Sequence, residues 1–193
     1  MRSDAARRRE AIVRAARKLF AAHGSTVALD AVAEAAGVGI ATLYRNFGSR
    51  SELIDVVVMA VLADIRAVAS AAAEAGESGG EGAWARFVDD LVGLDIGALT
   101  EALSPTIGDA LAADIREAQD QALADVARVL EAARARGEVD DTLTPIELVL
   151  AVGILSRPQT STVAALAPDL GARLVHLVVR AMTPPASGAP SGA

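Results

Sequence analysis

The side chains best suited to chemistry in this 193-residue sequence lie in one short stretch, 40–47. If a helix over this stretch places Leu43 in the core, Arg45 points directly away from the core, and Thr42 and Tyr44 flank Arg45. The outward face then carries a hydroxyl, a phenol and a guanidinium group. Such groups exchange hydrogen bonds with base edges and phosphates, so the face suits the major groove of DNA.

Residues that catalyse reactions or hold cofactors form no comparable set. The sequence contains no GxSxG, P-loop, HExxH or CxxC motif. It has no cysteine, and its two histidines, His23 and His176, are too few and too far apart for a metal or catalytic cluster. We therefore predict a protein that is not an enzyme and needs no cofactor.

Two short helices joined by a glycine are predicted to position the polar face. Val32, Ala33 and Ala36 lie on one side of the first helix, and Gly37 ends it. Ala33 is small where the second helix must approach, and Gly37 can adopt the positive φ that a tight turn requires. The pattern indicates a helix-turn-helix.

These residues, with TLYRNF at 42–47 and SRSEL at 49–53, resemble the DNA-binding domain of TetR-family regulators. The resemblance implies an N-terminal three-helix domain over 1–50 that binds double-stranded operator DNA. The sequence departs from the usual family pattern at three positions: Ala28 replaces a capping Ser or Thr before the second helix, Gly39 replaces a frequent Ser, and Asn46 replaces a frequent His.

We predict that Thr42, Arg45 and the backbone of 39–41 read base edges, while Tyr44 and Arg50 contact phosphates. The arginines that open the first helix are predicted either to contact phosphates or the minor groove, or to form a solvated face. The complete predicted DNA-binding set is Gly39, Ile40, Ala41, Thr42, Tyr44, Arg45, Asn46, Arg50, Arg7, Arg8 and Arg9.

The charge distribution agrees with a DNA-binding N-terminus, although the formal net charge of the whole chain is −7. Residues 1–50 carry nine Arg and Lys against four Asp and Glu, or +5, while the remainder carries nine against 21, or −12. A protein that binds a polyanion needs positive charge on the surface that contacts it, and the net charge of the whole chain can still be negative.

Beyond residue 50 we predict a helical regulatory domain over 51–182 and a disordered tail over 183–193, which makes the protein all-α. The composition is 52% hydrophobic but only 3% aromatic, which favours closely packed helices over a β-rich core. Ser49 and Glu52 form a capping box that begins a helix reaching about Ala73. This helix, called the lever below, would connect the two domains and transmit movements of one to the other.

A glycine-rich break at 75–82 separates the lever from the remaining helices. Apolar stripes predict one helix around 84–91 and another around 115–133. A second capping box, Thr144–Glu147, opens a nearly wholly apolar helix. Pro168 and Asp169 begin the last helix.

The last two helices, near 145–156 and 169–182, are too apolar to remain uncovered. The TetR resemblance implies that they pair with the same helices of a second copy in a homodimer. Ordinary burial within one subunit is the alternative.

The resemblance also implies a repressor that a small-molecule inducer of unknown identity releases from its operator. Bulky or charged groups among the many alanines are candidates for an inducer pocket, namely Met59, Trp84, Phe87, Leu91 and Arg157. The alternative for Met59 and Phe87 is a place in the core, and the alternative for Trp84 is the surface beside the glycine-rich break. An architectural or interaction DNA-binding protein without an inducer switch is the alternative. No apolar run is expected to approach the ~18 residues of a membrane span, so a cytoplasmic protein with no membrane partner is expected.

Overall fold

A computed structural model describes residues 4–24, 26–77, 82–94, 96, 113–156 and 161–181. Within these ranges all regular secondary structure is helical, which confirms the predicted all-α class. The helices are α1 (Asp4–His23), α2 (Leu29–Ala35), α3 (Ile40–Asn46), α4 (Arg50–Glu77), α5 (Ala83–Gly93), α6 (Ala113–Ala135), α7 (Pro145–Leu155), α8 (Ser161–Leu166) and α9 (Leu170–Ala181).

The first three helices pack around a small apolar core. Helix α2 contacts both α1 and α3, and α1 also contacts α4. One helical face of α1, with Ile12, Ala16 and Phe20, is fully buried, and it meets the fully buried Val32 and Phe47 in one cluster. Because these positions recur at helical spacing, burial of one stripe per helix accounts for the arrangement.

Helix α4 begins at the predicted capping residues. The Glu52 amide donates to Ser49 Oγ at 3.1 Å, and the Gly48 amide donates to the Glu52 carboxylate at 2.8 Å. The helix continues one turn beyond the predicted end near Ala73, to Glu77. The glycine of that turn, Gly76, stays helical between residues with strong helix propensity.

The expectation that the sequence contains no membrane-length apolar run was wrong. By length and composition Arg50–Gly76 could cross a bilayer, with a mean hydropathy of 1.9. Asp64 and Arg66 interrupt the run, but two charges do not make a window of this length polar. In the structure α4 packs against α1, α5 and α6, and its apolar side chains contribute to the core.

Helices α4 and α6 form the most extensive helix pair of the regulatory part, and α5 packs beside them. The predicted apolar stripes of α5 and α6 are buried. Arg66 of α4 joins the pair at the surface by donating to Asp125 at 3.1 Å and to Gln121 at 2.7 Å. Partial burial alone would raise the pKa of Asp125, but hydrogen bonds from Arg128 and Arg66 outweigh it and hold this pKa below its ordinary value.

Helix α7 opens with the predicted capping box. The Glu147 amide donates to Thr144 Oγ1 at 3.3 Å, the Thr144 amide donates to the Glu147 carboxylate at 2.9 Å, and Pro145 occupies the first turn. The hydrogen bonds from Thr144 lower the pKa of Glu147. Helix α7 packs on α5, α6 and α9.

The predicted domain boundary at residue 50 remains a prediction. Arg50 is the first residue of α4, so the chain passes from one predicted domain to the other within a continuous helix. The buried residues of both parts also belong to one hydrophobic cluster, which extends from Ile12 to Val175. Residues 78–81 of the predicted glycine-rich break (75–82) and the predicted disordered tail (183–193) lie outside the described residues, while residues 75–77 continue α4.

Candidate DNA-binding site

The turn between α2 and α3 depends on a glycine in the left-handed region. Gly37 has φ of 68°, its amide donates to the Glu34 carbonyl at 2.9 Å, and the Val38 amide donates to the Ala33 carbonyl at 3.0 Å. A side chain at this φ would strain the backbone. The predicted glycine turn is therefore present, and it changes the direction of the chain between α2 and α3.

Helix α3 presents the polar face that its sequence predicts. Leu43 and Phe47 are fully buried, whereas Tyr44 is 52% exposed and Arg45 is also exposed. Thr42 is half-buried. Of the other predicted members, Ala41 and Gly39 are exposed and Ile40 and Asn46 are half-buried. The exposed side chains supply the donors and acceptors that could reach a DNA groove.

Hydrogen bonds within α3 restrain two of these side chains. Arg45 donates from Nη2 to Thr42 Oγ1 at 3.1 Å, which aligns the guanidinium group along the exposed face. Asn46 donates from Nδ2 to the Thr42 carbonyl at 2.7 Å, so its amide nitrogen satisfies one of the last carbonyls of the helix. Arg45 is thus held along the exposed face of α3, and Asn46 supports the end of the helix.

Neither α2 nor α3 has a side-chain N-cap. Ala28 precedes α2 and Gly39 precedes α3, and neither forms a capping hydrogen bond. Both positions are departures from the usual TetR pattern. The first amide groups of these helices therefore lack a side-chain partner at the cap position, and a phosphate group is the kind of acceptor that they could bind.

Arg50, a predicted phosphate contact, has an intramolecular partner. Its Nη1 donates to the Val27 carbonyl at 2.7 Å, and the side chain is half-buried. The bond ties the first turn of α4 to the segment before α2. Arg50 therefore positions the helix-turn-helix on α4, and a phosphate contact by this residue remains a prediction.

The three predicted arginines of α1 lie in different surroundings. Arg7 pairs with Asp4 on the same helix, whereas the Arg9 guanidinium carbon lies 4.7 Å from the centre of the Phe47 ring. Arg8 is exposed and, with Arg7, lines a groove of about 240 Å³ beside Gly37. The fold thus places the start of α1 next to the helix-turn-helix turn.

The predicted pocket residues do not share one environment. Trp84, Phe87 and Leu91 are buried in the core, and the first two rings lie 6.0 Å apart between centroids. Met59 is instead 36% exposed on α4, because the buried face of that helix is formed by other positions. Arg157 lies outside the described residues.

The first turns of α4 and α6 lie close together, and they bring acidic side chains near one another. Burial raises the pKa of Asp55, and the negative charges of Asp114 and Glu52 raise it further. Asp114 belongs to the first turn of α6, which therefore lies near the first turns of α4. Within the described part of the chain, no group of three His, Asp or Glu residues could hold a metal ion.

Residues 12–57 match the model of the bacterial regulatory proteins of the tetR family. The matched segment contains the helix-turn-helix and the start of α4. Residues 12–57 thus form a DNA-binding domain of the TetR type. The chain is accordingly a DNA-binding transcriptional regulator, and α2 and α3 are its helix-turn-helix.

Solved structures of TetR proteins share the fold over nearly the whole chain. A regulator from Mycobacterium vanbaalenii is 26% identical, with a TM-score of 0.62 and coverage of 93% of this chain and 97% of that one. LfrR of Mycobacterium smegmatis, solved with proflavine, is 21% identical, with a TM-score of 0.67 and coverage of 95% and 99%. A regulator from Streptomyces coelicolor is 24% identical, with a TM-score of 0.59 and coverage of 92% and 99%. No curated protein sequence matches the chain.

Sequence reasoning missed the intramolecular roles of Arg9, Arg17 and Arg50. Each of these side chains bonds or stacks on a residue that lies far away along the chain. The only local signal was the surplus of arginines on a helix whose other face is apolar. Such a surplus predicts a charged face but does not distinguish a DNA contact from a contact between helices.

Proposed function

We propose that this TetR-family regulator is a cytoplasmic repressor that binds a pseudo-palindromic operator as a homodimer and leaves it when a small molecule binds. The proposal of DNA readout rests on the two faces of α3. Leu43 and Phe47 are buried on one face, while Tyr44 and Arg45 are exposed on the other. In a helix-turn-helix protein this face enters the major groove. The +5 formal charge of residues 1–50 favours that approach.

The dimer proposal rests on apolar side chains at the surface of the regulatory part. Ile146, Leu150 and Ile154 recur every four residues along α7 and are 38%, 45% and 60% exposed. Leu177 of α9, which packs beside α7, is 60% exposed. A stripe of this kind favours burial against a symmetry-related copy. The alternative, ordinary burial within one subunit, does not account for these exposed fractions.

Control by a ligand is supported by the connection between the two parts of the chain. Helix α4 starts beside the helix-turn-helix and extends for 28 residues into the regulatory part. A shift of its far end would therefore move α3. The fold shared with LfrR, which was solved with proflavine, also supports the proposal of a small-molecule ligand.

Arg45→Ala tests base readout by α3. If the guanidinium group contacts a guanine, its removal should cost about 1–3 kcal/mol of discrimination at one operator position and leave the other positions unchanged. The operator is first selected from a random DNA library with the parent protein. The selection is then repeated with Arg45→Ala and with Lys18→Ala, an exposed cation of α1 outside the predicted set.

A base preference identical to that of the parent at every position would exclude Arg45 from readout. A uniform loss of affinity with a smaller salt dependence would assign Arg45 to a phosphate instead. Lys18→Ala is expected to retain the parent's preference.

The inducer hypothesis predicts reciprocal coupling between ligand and operator. A coupling of about 1–3 kcal/mol would weaken operator binding 5- to 150-fold, and the operator would weaken ligand binding by the same factor. We would screen small molecules by thermal stabilisation, with proflavine as the first probe, and titrate each binder calorimetrically with and without the operator duplex.

Equal ligand affinities in the two titrations would show an uncoupled site. The function would then be the alternative one, a DNA-binding architectural or interaction protein without an inducer switch. Duplex of unrelated sequence at the same concentration is the control, because it reports competition by non-specific DNA binding.

A further inference from the structure

We infer that Arg17 is a positioning residue that fixes the orientation of the DNA-binding domain by clamping α1 to two helices of the regulatory part. The inference rests on the DNA-binding function and does not require control by a ligand. It assigns a role to a cation that lies on α1, outside the helix-turn-helix and outside the predicted DNA-binding set.

The Arg17 side chain joins three helices. Its Nη1 donates to Oδ2 of Asp64 on α4, and its Nη2 donates to the carbonyl of Leu94, directly after α5, at 3.0 Å. The Arg17 side chain is 24% exposed and that of Asp64 is 44% exposed. Arg17 thus contacts the end of α5 directly, and this connection between the DNA-binding domain and α5 is separate from the covalent one through α4.

The chemistry of the two acceptors explains why an arginine occupies this position. The planar guanidinium group presents several donors in a fixed arrangement, so one side chain can bind a carboxylate and a carbonyl together. Leu94 lies at the C-terminal end of α5, where carbonyls lack helical partners and carry partial negative charge. A lysine has one nitrogen and would not hold both acceptors in the same geometry.

The packing of α1 against α4 has a gap beside the Arg17 clamp. A groove of about 560 Å³ separates the two helices beside the clamp, and Val13, Val56 and Ala60 line it together with Arg17 and Asp64. Where helices do not interdigitate, side-chain packing restrains their tilt weakly. The DNA-binding domain is therefore held by the α3–α4 junction, by the apolar contact of α1 with α4 and by the Arg17 clamp, which restrains α1 where the groove leaves it unpacked.

A displacement of the α5 end would reach α1 through this contact. Since α1 packs on α2, and α2 packs on α3, a tilt of α1 would move α3, the helix proposed to contact base edges. Loss of the clamp should instead allow several orientations of the domain. Operator binding would weaken because only a part of these orientations fits the groove.

The absence of cysteine allows a direct measurement. We would introduce one cysteine at Glu34 on α2 and one at Glu131 on α6, both exposed, and attach a spin label to each. Dilution with excess unlabelled protein leaves one labelled pair per particle even if the protein is dimeric. Dipolar spectroscopy then reports the distance distribution between the DNA-binding domain and the regulatory part.

The parent is expected to show one narrow distribution and Arg17→Gln a clearly broader one. Arg14→Gln removes the same charge from an exposed position of the same helix and should match the parent. Arg17→Lys and Asp64→Asn each retain part of the clamp and should give intermediate widths, which keeps the test informative if Arg17→Gln folds poorly. A parental width for all three clamp variants, or equal broadening in Arg14→Gln, would overturn the inference.

Operator binding provides the second readout. Arg17→Gln should weaken the affinity between about twofold and tenfold, the range expected for one partly exposed charged contact. The slope of log affinity against log salt should stay at the parental value, because Arg17 is engaged within the protein. A slope lower by about 0.9 would make Arg17 a phosphate contact and contradict the inference.

Discussion

Replacing Ile154 by Glu is expected to convert the protein to monomers and to weaken operator binding about 10²- to 10⁴-fold. The residue is 60% exposed in the single chain, so the charge remains solvated when the monomer folds. In a symmetric dimer each substitution occurs twice and buries two unpaired carboxylates in the interface. The loss in DNA affinity follows because a monomer binds one half-site without the effective concentration that dimerisation provides.

Sedimentation velocity at micromolar concentration and operator titration measure the two effects. Ala67→Glu is the control, because it adds the same charge at an exposed position of α4 outside the α7 stripe. It should leave both the assembly state and the affinity close to those of the parent. A parent that sediments as a monomer, or an Ile154→Glu variant that stays dimeric, would remove α7 from the proposed interface.

Replacing Phe47 by Ala should reduce the free energy of unfolding by about 3–5 kcal/mol, the usual cost of truncating a buried phenylalanine. The Phe47 side chain is fully buried, and its ring supports the Arg9 guanidinium group at 4.7 Å. Its amide also donates to the Leu43 carbonyl at 2.9 Å at the end of α3. The variant loses core packing and the aromatic contact of Arg9, and therefore the fixed position of α3.

Tyr44→Ala is the matched comparison from the same helix. Tyr44 is 52% exposed, so its truncation should change the free energy of unfolding by no more than about 0.5 kcal/mol. It should nevertheless weaken DNA binding if the phenol contacts a phosphate. Chemical denaturation measures stability and fluorescence anisotropy measures affinity. Equal destabilisation by the two substitutions would show that Tyr44 is also a packing residue.

The helix-turn-helix was predictable because its determinants are local. The turn requires a glycine near residue 37, and the opposite faces of α3 follow from helical periodicity once Leu43 is assigned to the core. The capping box at Thr144 was likewise readable, since it joins residues three apart. Burial within α5 and α6 followed from apolar stripes of the same kind.

The pocket residues were less accessible to sequence reasoning. Bulky side chains among alanines can fill a core or line a cavity, and the two roles have the same composition. The structure buries Trp84 and Phe87 together but leaves Met59 partly exposed. Which face of α4 a residue occupies relative to α1, α5 and α6 depends on how these helices pack, and not on α4 alone.

The sequence by itself therefore determined the helical class, the reading face of α3 and the separation of positive from negative charge. Only the tertiary structure decided which arginines hold the protein together. Arg50 bonds a carbonyl 23 positions away, and Arg17 bonds partners 47 and 77 positions away. Local periodicity contains no information on such pairs, because they meet only after the helices have packed against one another.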